Sequence, residues 1–424
     1  MESSVLHLCD HIRLFTKIIA LRPIQYQIDT NQLEHLPTKD EIVLHECRNQ
    51  ITEYEQRITN GRNWEYYKKV VNPFELVYTQ KKYPHFPESI CFIKPLSRSY
   101  FKMIEILDMI SFFQLFPGEQ IRTTHVCEGP GGFIEALFDE ATKKQRKIQN
   151  SVAMTLKSRK TNIPGWKRAT YFLQKNKNVK IIFGEDDTGD IMRPENQQFF
   201  IDYTTKQECY GKTHIFTADG GFDFSGDYMK QEQMVFPLLL ASTKIGLEVL
   251  KSGGVFILKL FDFYHKSTTD LLFFLSMHFD EWTLYKPGMS RPCNPEHYFV
   301  GKGFTGCTEE EFDLLRLWCS IVDPKQEHTV HGQQLDSLII SEYTPEFIEM
   351  LDRVRRKSFF LQTEYLHRVF EMIDQNNDDL IKQYVQQNEK TSYDWCVRFN
   401  VPMYENRRHL IEESRNDLPV SFQQ

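Results

Sequence analysis

Between Ser97 and Phe304, short apolar runs rich in β-branched and aromatic residues alternate with longer stretches of helical period. This alternation constrains the chain more than any other feature. Strands regularly separated by helices return as parallel neighbours in an α/β sheet. Strands are predicted over Thr123–Cys127, Ser151–Leu156, Lys180–Phe183, His214–Ala218, Gly254–Leu260, Trp282–Lys286 and His297–Val300. Helices are predicted over Ser99–Phe116, Phe133–Lys147, Gln231–Lys251 and Ser267–Phe279. Outside this segment the pattern changes. Residues 1–95 are polar and irregular, with helices predicted over Val5–Ala20 and Ile42–Asn60, and Pro84, Pro87 and Pro95 suit a boundary. After about Cys307 the strand pattern stops, and Glu309–Val322, Glu346–Met372 and Asp378–Asn388 read as amphipathic helices. The expected organisation is a mainly helical region 1–95, an α/β domain 96–304 and a mainly helical region 305–424.

Six segments of the α/β domain carry chemistry. His125-Val-Cys-Glu-Gly-Pro-Gly-Gly-Phe133 follows a strand and opens a helix. Its glycines permit positive φ and close approach of a nucleotide-like ligand, although an ordinary tight turn explains them equally well. The G-K-[ST] ending of a phosphate loop and the G-x-G-x-x-G spacing of dinucleotide folds are both missing. Gly184-Glu-Asp-Asp-Thr-Gly-Asp-Ile191 is an acidic turn at the same sheet edge, fit either to accept hydrogen bonds from a nucleoside or to cap itself. Asp219 ends an apolar strand and precedes two glycines, a placement that suits chemistry and an ordinary turn alike.

Gly253-Gly-Val-Phe-Ile-Leu-Lys-Leu-Phe261 is the most informative of the six. It reads as a parallel strand buried on both faces, with Lys259 inside it. A buried ammonium is costly, so Lys259 calls for a carboxylate partner or a depressed pKa; the competing reading is a lysine snorkelling from a strand end. Glu296 lies in Ser290-Arg-Pro-Cys-Asn-Pro-Glu-His-Tyr-Phe-Val300, which alone reads as a loop before a strand. Lys102, in Ser97-Arg-Ser-Tyr-Phe-Lys-Met-Ile-Glu105, alone reads as a surface lysine on a helix.

In this order the six segments closely resemble the FtsJ-like ribose 2′-O-methyltransferase family, over about residues 97–304. The resemblance implies a Rossmann-like, S-adenosylmethionine-dependent methyltransferase sheet. It places the family's K-D-K-E tetrad on Lys102, Asp219, Lys259 and Glu296. It implies a cofactor site shaped by Cys127, Gly129, Pro130, Gly131, Gly132 and Phe133, with Asp190 and Ile191 on the next loop and Thr155 as a weaker candidate. Cys127-x-Gly-Pro-Gly-Gly-Phe133, Met154-Thr-Leu-Lys157, Gly189-Asp-Ile191, Arg193-Pro-Glu-Asn196, Ala218-Asp-Gly-Gly-Phe222 and Ser290-Arg-Pro292 look like the cap-1 branch. His125-x-Cys-Glu128 and Gly184-x-Asp-x-Thr-Gly-Asp-Ile-Met192 look more like the Adrift-type cap-2 branch, so the target ribose stays open. His125 stands where many members carry Asp, which puts the cofactor site in question. Length and pattern also resemble the FtsJ-like proteins of African swine fever-type large DNA viruses, implying a cytoplasmic replication site and packaging in the virion.

The implied reaction is attack of an RNA 2′-hydroxyl on a sulfonium methyl, with Lys259 as general base. Burial and Lys102 would lower its pKa, while Asp219 and Glu296 pull the other way. The leaving thioether is neutral, so no metal is implied. The implied partners are capped RNA and other capping or transcription proteins. The competing expectations are methylation of internal RNA positions, and an inactive RNA-binding or assembly subunit with the same fold.

Charge enters here. The chain carries 51 Lys and Arg against 58 Asp and Glu, a net charge of -7, which excludes a protein that coats nucleic acid indiscriminately. Residues 141–180 nevertheless hold a run of lysines and arginines and no acid. That run is either a solvated surface or an RNA-phosphate grip, with Lys157, Arg159 and Lys160 the candidate contacts. The nine cysteines form no C-x-x-C pair, which suggests free thiols in a reducing compartment and no zinc framework. No secretory signal is evident, and the longest apolar runs, such as Val235–Ala241, are too short to span a bilayer.

Overall fold

The computed structural model describes residues 26–29, 38–59, 61–79, 86–157, 165–208, 211–221, 231–321, 337–339 and 343–406. Seven strands form its main sheet: β1 (Ile121–Val126), β2 (Ile148–Met154), β3 (Val179–Ile182), β4 (Thr213–Ala218), β5 (Leu250–Leu260), β6 (Phe279–Tyr285) and β7 (His297–Phe304). Their order is β3-β2-β1-β4-β5-β7-β6. β1 to β5 are parallel, and β7 runs antiparallel between β5 and β6. The fold is therefore the expected α/β, Rossmann-like sheet. The expectation of a parallel strand at Gly253–Phe261 holds on the β4 side only, because its other neighbour is antiparallel.

Every residue of β4 is buried, and Val255–Leu258 of β5 is almost wholly so. Both faces of these central strands are covered by helices, which is why they read as continuous apolar runs. Strand order reverses between β1 and β4. The crevice at the carboxyl ends of two such strands is where α/β sheets receive ligands.

The helices are α1 (Lys39–Arg57), α2 (Trp64–Val71), α3 (Ser99–Met109), α4 (Gly132–Lys143), α5 (Pro194–Asp202), α6 (Gln231–Val249), α7 (Lys266–Ser276), α8 (Glu309–Ile321), α9 (Pro345–Gln375) and α10 (Asp378–Arg398), besides shorter turns. α9 crosses the molecule: Phe347, Met350, Leu351 and Val354 join the core with α6, α7 and α8, while Tyr365, Val369 and Phe370 join the core with α2, α3 and α10. The two terminal regions pack on each other. Tyr54 of α1 stacks on Phe370 of α9 with ring centroids 4.1 Å apart. Arg48 of α1 donates to both oxygens of Asp262, at 2.8 and 2.9 Å, and to Gln362 of α9 at 2.7 Å. Asp262 lies just past β5, so this bidentate pair docks both regions onto the sheet.

Several expectations need correction. Strands do not stop after Cys307, since Ser337–Ile339 pairs antiparallel with Tyr26–Asp29. The helix predicted to Phe116 ends at Met109, because Ser111 adopts a left-handed φ of 51° and a separate turn begins at Phe112. The helix predicted to Asn388 continues to Arg398. α2 and α5 were not anticipated. The helix predicted over Val5–Ala20 lies outside the described residues. Among the described residues no helix is long and apolar enough to cross a membrane.

Candidate active site

Strand register assembles the site. Lys259 of β5 pairs directly with Tyr298 of β7. Directly opposed residues share a face, and so does Glu296, two residues before Tyr298. In parallel β4, Ala218 pairs with Leu258, which brings Asp219 beside Lys259. Lys102 arrives from α3. Its ammonium lies 2.6 Å from Glu296 Oε1, while Lys259 Nζ lies 3.7 Å from Glu296 Oε2 and 3.5 Å from Asp219 Oδ1. The four predicted tetrad residues thus meet at one place, with side-chain exposures of 11–14%, largely covered yet reaching the surface. Lys102 is no surface lysine, and Lys259 is not snorkelling from the strand.

Tyr298 is a fifth member that sequence reasoning missed. Its hydroxyl donates to Asp219 Oδ1 at 2.7 Å and lies 3.5 Å from Lys102 Nζ. The available signal was its position two residues after Glu296, on the same strand face. Gly221 keeps the space beside the tetrad open: a Cβ there would come within 2.9 Å of the Phe261 ring and 3.5 Å of Lys259 Nζ.

The charges are arranged so that acids win. Burial pushes the Lys259 pKa down, but Asp219 and Glu296 outweigh it and hold the ammonium above the ordinary lysine range. Burial pushes Glu296 up, but Lys102 and Lys259 more than reverse that and hold it well below the carboxylate range. The expected downward pull of Lys102 on Lys259 is blunted because Lys102 itself pairs closely with Glu296.

The loop bearing Glu296 is held from behind. Lys286 donates to the carbonyls of Asn294 at 2.7 Å and Glu296 at 3.1 Å. Glu105, one helical turn after Lys102, accepts from Tyr285, Gly288 N–H, Met289 N–H and Trp395 Nε1, all within 2.7–2.9 Å. Arg291 grips Glu75 with Nε at 3.0 Å and Nη2 at 3.1 Å, and Arg98 stands 3.5 Å from the same carboxylate. Burial raises the Glu75 pKa, but Arg98 and Arg291 lower it to about 2. A depressed carboxyl pKa stabilises the fold above its unfolded value and loses that contribution as pH falls toward the folded value. Glu75 and Glu296 act in the same direction. We therefore expect thermal stability to drop steeply as pH falls from about 5 toward about 2, and Glu75→Gln to flatten that dependence. Melting curves across this range test it; a parallel curve for the variant would count against the assignment.

The glycine turn sits at the carboxyl end of β1. Cys127 has φ 58° and Gly131 φ 105°. Gly132 opens α4 where a Cβ would collide with Ser97 and Ser99 at the start of α3. Phe133 is buried, and Gly129 and Pro130 complete the turn. His125 does not face a ligand: buried in β1, it lies 2.8 Å from both Thr217 Oγ1 and Thr123 Oγ1, and burial depresses its pKa to about 3. It is a satisfied core histidine. Glu128 differs. Thr217 donates to its Oε1 at 2.5 Å, while its buried Oε2 has no hydrogen-bond partner among the described residues. Burial and the nearby Asp219 push its pKa well above the ordinary carboxyl value.

On the next loop Asp190 is half-buried and Ile191 buried. The loop is tied together by Asn196, which is buried at the start of α5. Its Nδ2 donates to Asp186 Oδ1 at 2.8 Å, Thr188 Oγ1 at 3.2 Å and the Asp190 carbonyl at 3.0 Å. Arg193 adds an ion pair to Asp186. Gly189 presses on the Thr155 carbonyl, where no Cβ fits. Lys157 is exposed, pairs with Asp187 at 2.5 Å and lies over the Phe183 ring at 4.9 Å. Arg159 and Lys160 lie outside the described residues. The basic run is not one free face, since Lys143 pairs with Glu140 and Arg146 donates to the carbonyls of Phe113, Phe116 and Glu119.

The family model for FtsJ-like methyltransferases matches residues 95–304. The cap-specific mRNA (nucleoside-2′-O-)-methyltransferase 1 of Xenopus laevis is 30% identical over 218 residues, 51% of this chain and 24% of that protein. The cap-specific mRNA (nucleoside-2′-O-)-methyltransferase 2 of Danio rerio is 33% identical over 211 residues, 48% of this chain and 28% of that protein. The match thus spans about a quarter of these curated relatives. A solved structure from Plasmodium falciparum, described as a ribosomal RNA methyltransferase, is 20% identical, covers 50% of this chain and 100% of its own, and has a TM-score of 0.35.

Proposed function

Because residues 95–304 form an FtsJ-like methyltransferase domain, we propose that this protein methylates a ribose 2′-hydroxyl near the 5′ end of capped RNA, using S-adenosylmethionine. The observation that carries the reading is the tetrad, two lysines and two carboxylates converging beside a bare glycine turn at the carboxyl ends of β1 and β4. The names of the relatives support the cap as the feature recognised. The seven described cysteines are free thiols, which supports a reducing compartment.

The residues present fit the cofactor. Glu128, in the glycine turn, keeps a buried Oε2 with no hydrogen-bond partner among the described residues, a group ready to meet a polar atom of the cofactor. The Cys127–Phe133 turn would hold the methionine and ribose portion, and Asp190 with Ile191 the nucleoside portion. S-adenosylmethionine bound there would supply an electrophilic methyl on a sulfonium, with a neutral thioether as the leaving group. The chain's own residues act on the other partner. The 2′-hydroxyl is a weak acid, and Lys259 is the group placed to take its proton. Asp219 and Tyr298 fix the lysine side chain, while Lys102 neutralises part of Glu296 and so moderates its grip on the Lys259 charge. Exposed Lys157 would meet RNA phosphates, and Arg159 and Lys160, which follow it in sequence, are the further candidates.

The deciding experiment is methyl transfer onto short RNAs with and without a methylated guanine cap, followed by mapping of the modified nucleotide. Cap-dependent methylation of the first or second nucleotide is expected. Equal methylation of uncapped RNA at internal positions would move the target elsewhere, and cofactor binding without turnover would make the protein a binding subunit. Asn196→Ala should weaken S-adenosylmethionine binding roughly tenfold or more, through loss of the three hydrogen bonds that shape the acidic turn. Calorimetry measures this directly; unchanged affinity would place the nucleoside portion away from that turn.

A further inference from the structure

At the opposite end of β7 from Glu296, we propose that His278, Cys307 and Glu311 form a zinc-binding site that clips α8 to the sheet. The three residues come from different elements. His278 lies between α7 and β6, Cys307 follows β7, and Glu311 is in the first turn of α8. Their donor atoms all lie within 4.8 Å of one another. β7 spans eight residues, so the cluster is about 25 Å from the tetrad and does not belong to it.

The geometry is that of prepared ligands. His278 Nε2 stands 3.2 Å from Glu311 Oε1. A tetrahedron with zinc–ligand arms of about 2.0–2.1 Å has an edge of about 3.3–3.4 Å, so the pair needs only a small adjustment. His278 is buried, and its Nδ1–H donates to the Phe274 carbonyl at 2.7 Å. That bond turns Nε2 toward the cluster, the orienting arrangement usual for metal-bound histidines. Glu311 is also oriented. Its Oε2 accepts from Thr308 N–H at 2.8 Å, and its own N–H donates to Thr308 Oγ1 at 3.2 Å, a capping box that leaves Oε1 facing His278.

Zinc bound here would take His278 as neutral imidazole through Nε2 and Cys307 as thiolate, with the thiol proton released to solvent. One sulfur, one imidazole nitrogen and one carboxylate suit zinc rather than magnesium or calcium, and three protein ligands leave a position for water. The spacing has no recognisable sequence signature, which is why the cysteine pattern pointed away from zinc.

The test uses the full chain, purified without chelators. We expect one zinc per chain by elemental analysis, and a cobalt-loaded form with a thiolate-to-metal absorption band. Cys307→Ser should remove both, and Glu311→Gln, which keeps an oxygen for the capping bond, should weaken zinc binding by about tenfold or more. Removing zinc from the wild type should lower its melting temperature and leave that of Cys307→Ser unchanged. Absence of stoichiometric zinc together with no thiolate band on cobalt addition would overturn the proposal. So would equal zinc content in wild type and in folded Glu311→Gln and Cys307→Ser.

Discussion

Lys259→Met should lower methyl transfer by about a thousandfold while leaving S-adenosylmethionine affinity within about threefold of wild type. Methionine fills similar space in β5 but has no proton acceptor. The glycine turn and the acidic turn do not depend on the ammonium, so cofactor binding and rate should separate. pH supplies a second readout. Asp219 and Glu296 hold Lys259 charged in the free protein, so only a minor fraction is ready to accept a proton at neutral pH. The rate should therefore rise with pH into the alkaline range. Asp219→Asn, which removes one of the two opposing charges, should move that rising limb to lower pH even as it costs activity through lost positioning. The groups titrate together, so the limb belongs to the cluster and not to one side chain. A variant at Lys259 that keeps more than about a tenth of the activity would falsify its role as base.

How much of this was legible beforehand depended on distance along the chain. Lys259 announced itself, because an ammonium inside an apolar strand is physically conspicuous in one dimension. The central parallel strands were equally visible, since they are apolar almost throughout. Lys102 and Glu296 had no such local mark. One lies on a helix and one in a proline-flanked loop, and only β5–β7 register and the crossing of α3 make them neighbours; the resemblance to a family, not their local pattern, brought them forward. Tyr298 was hidden for the same reason. Asn196 was quoted as part of a motif, but its work is to satisfy three acceptors on another segment, which a linear pattern does not display. α2 has only eight residues and α5 begins at a proline, so neither offered a long periodic stretch. Nor could periodicity reveal that α1 and α9, hundreds of residues apart, pack together through Arg48 and Tyr54. The overall negative charge was misleading in a different way. It concealed a basic segment, and the structure then divided that segment between structural contacts, such as those of Arg146, and exposed positions.

Glu75→Ala should be among the most destabilising single changes, by about 2–4 kcal/mol, because Glu75 is buried and its loss leaves the half-buried Arg98 and Arg291 without their common carboxylate. Arg291 and Arg98 both approach Glu75, and Asn72 and Thr79 donate to it as well, at 2.8 and 3.3 Å. Arg98 has compensating carbonyls at Phe74, Tyr78 and Met289, whereas the bidentate grip of Arg291 is on Glu75 itself. The damage should therefore be felt first at Arg291. That residue begins the segment that ends at Glu296, so loosening it should displace the carboxylate that pairs with both tetrad lysines. Activity should then fall more steeply with temperature than cofactor binding does, a signature that simple loss of folded protein would not produce. Glu75→Gln keeps the hydrogen-bonding shape but not the charge and should cost less than the alanine change. Melting curves at neutral pH give the ranking: a fall of at least about 5 °C for alanine is expected, with glutamine between it and wild type. If alanine melts like wild type, the Glu75 cluster does not hold the Glu296 segment, and Glu105 and Lys286 must position it alone.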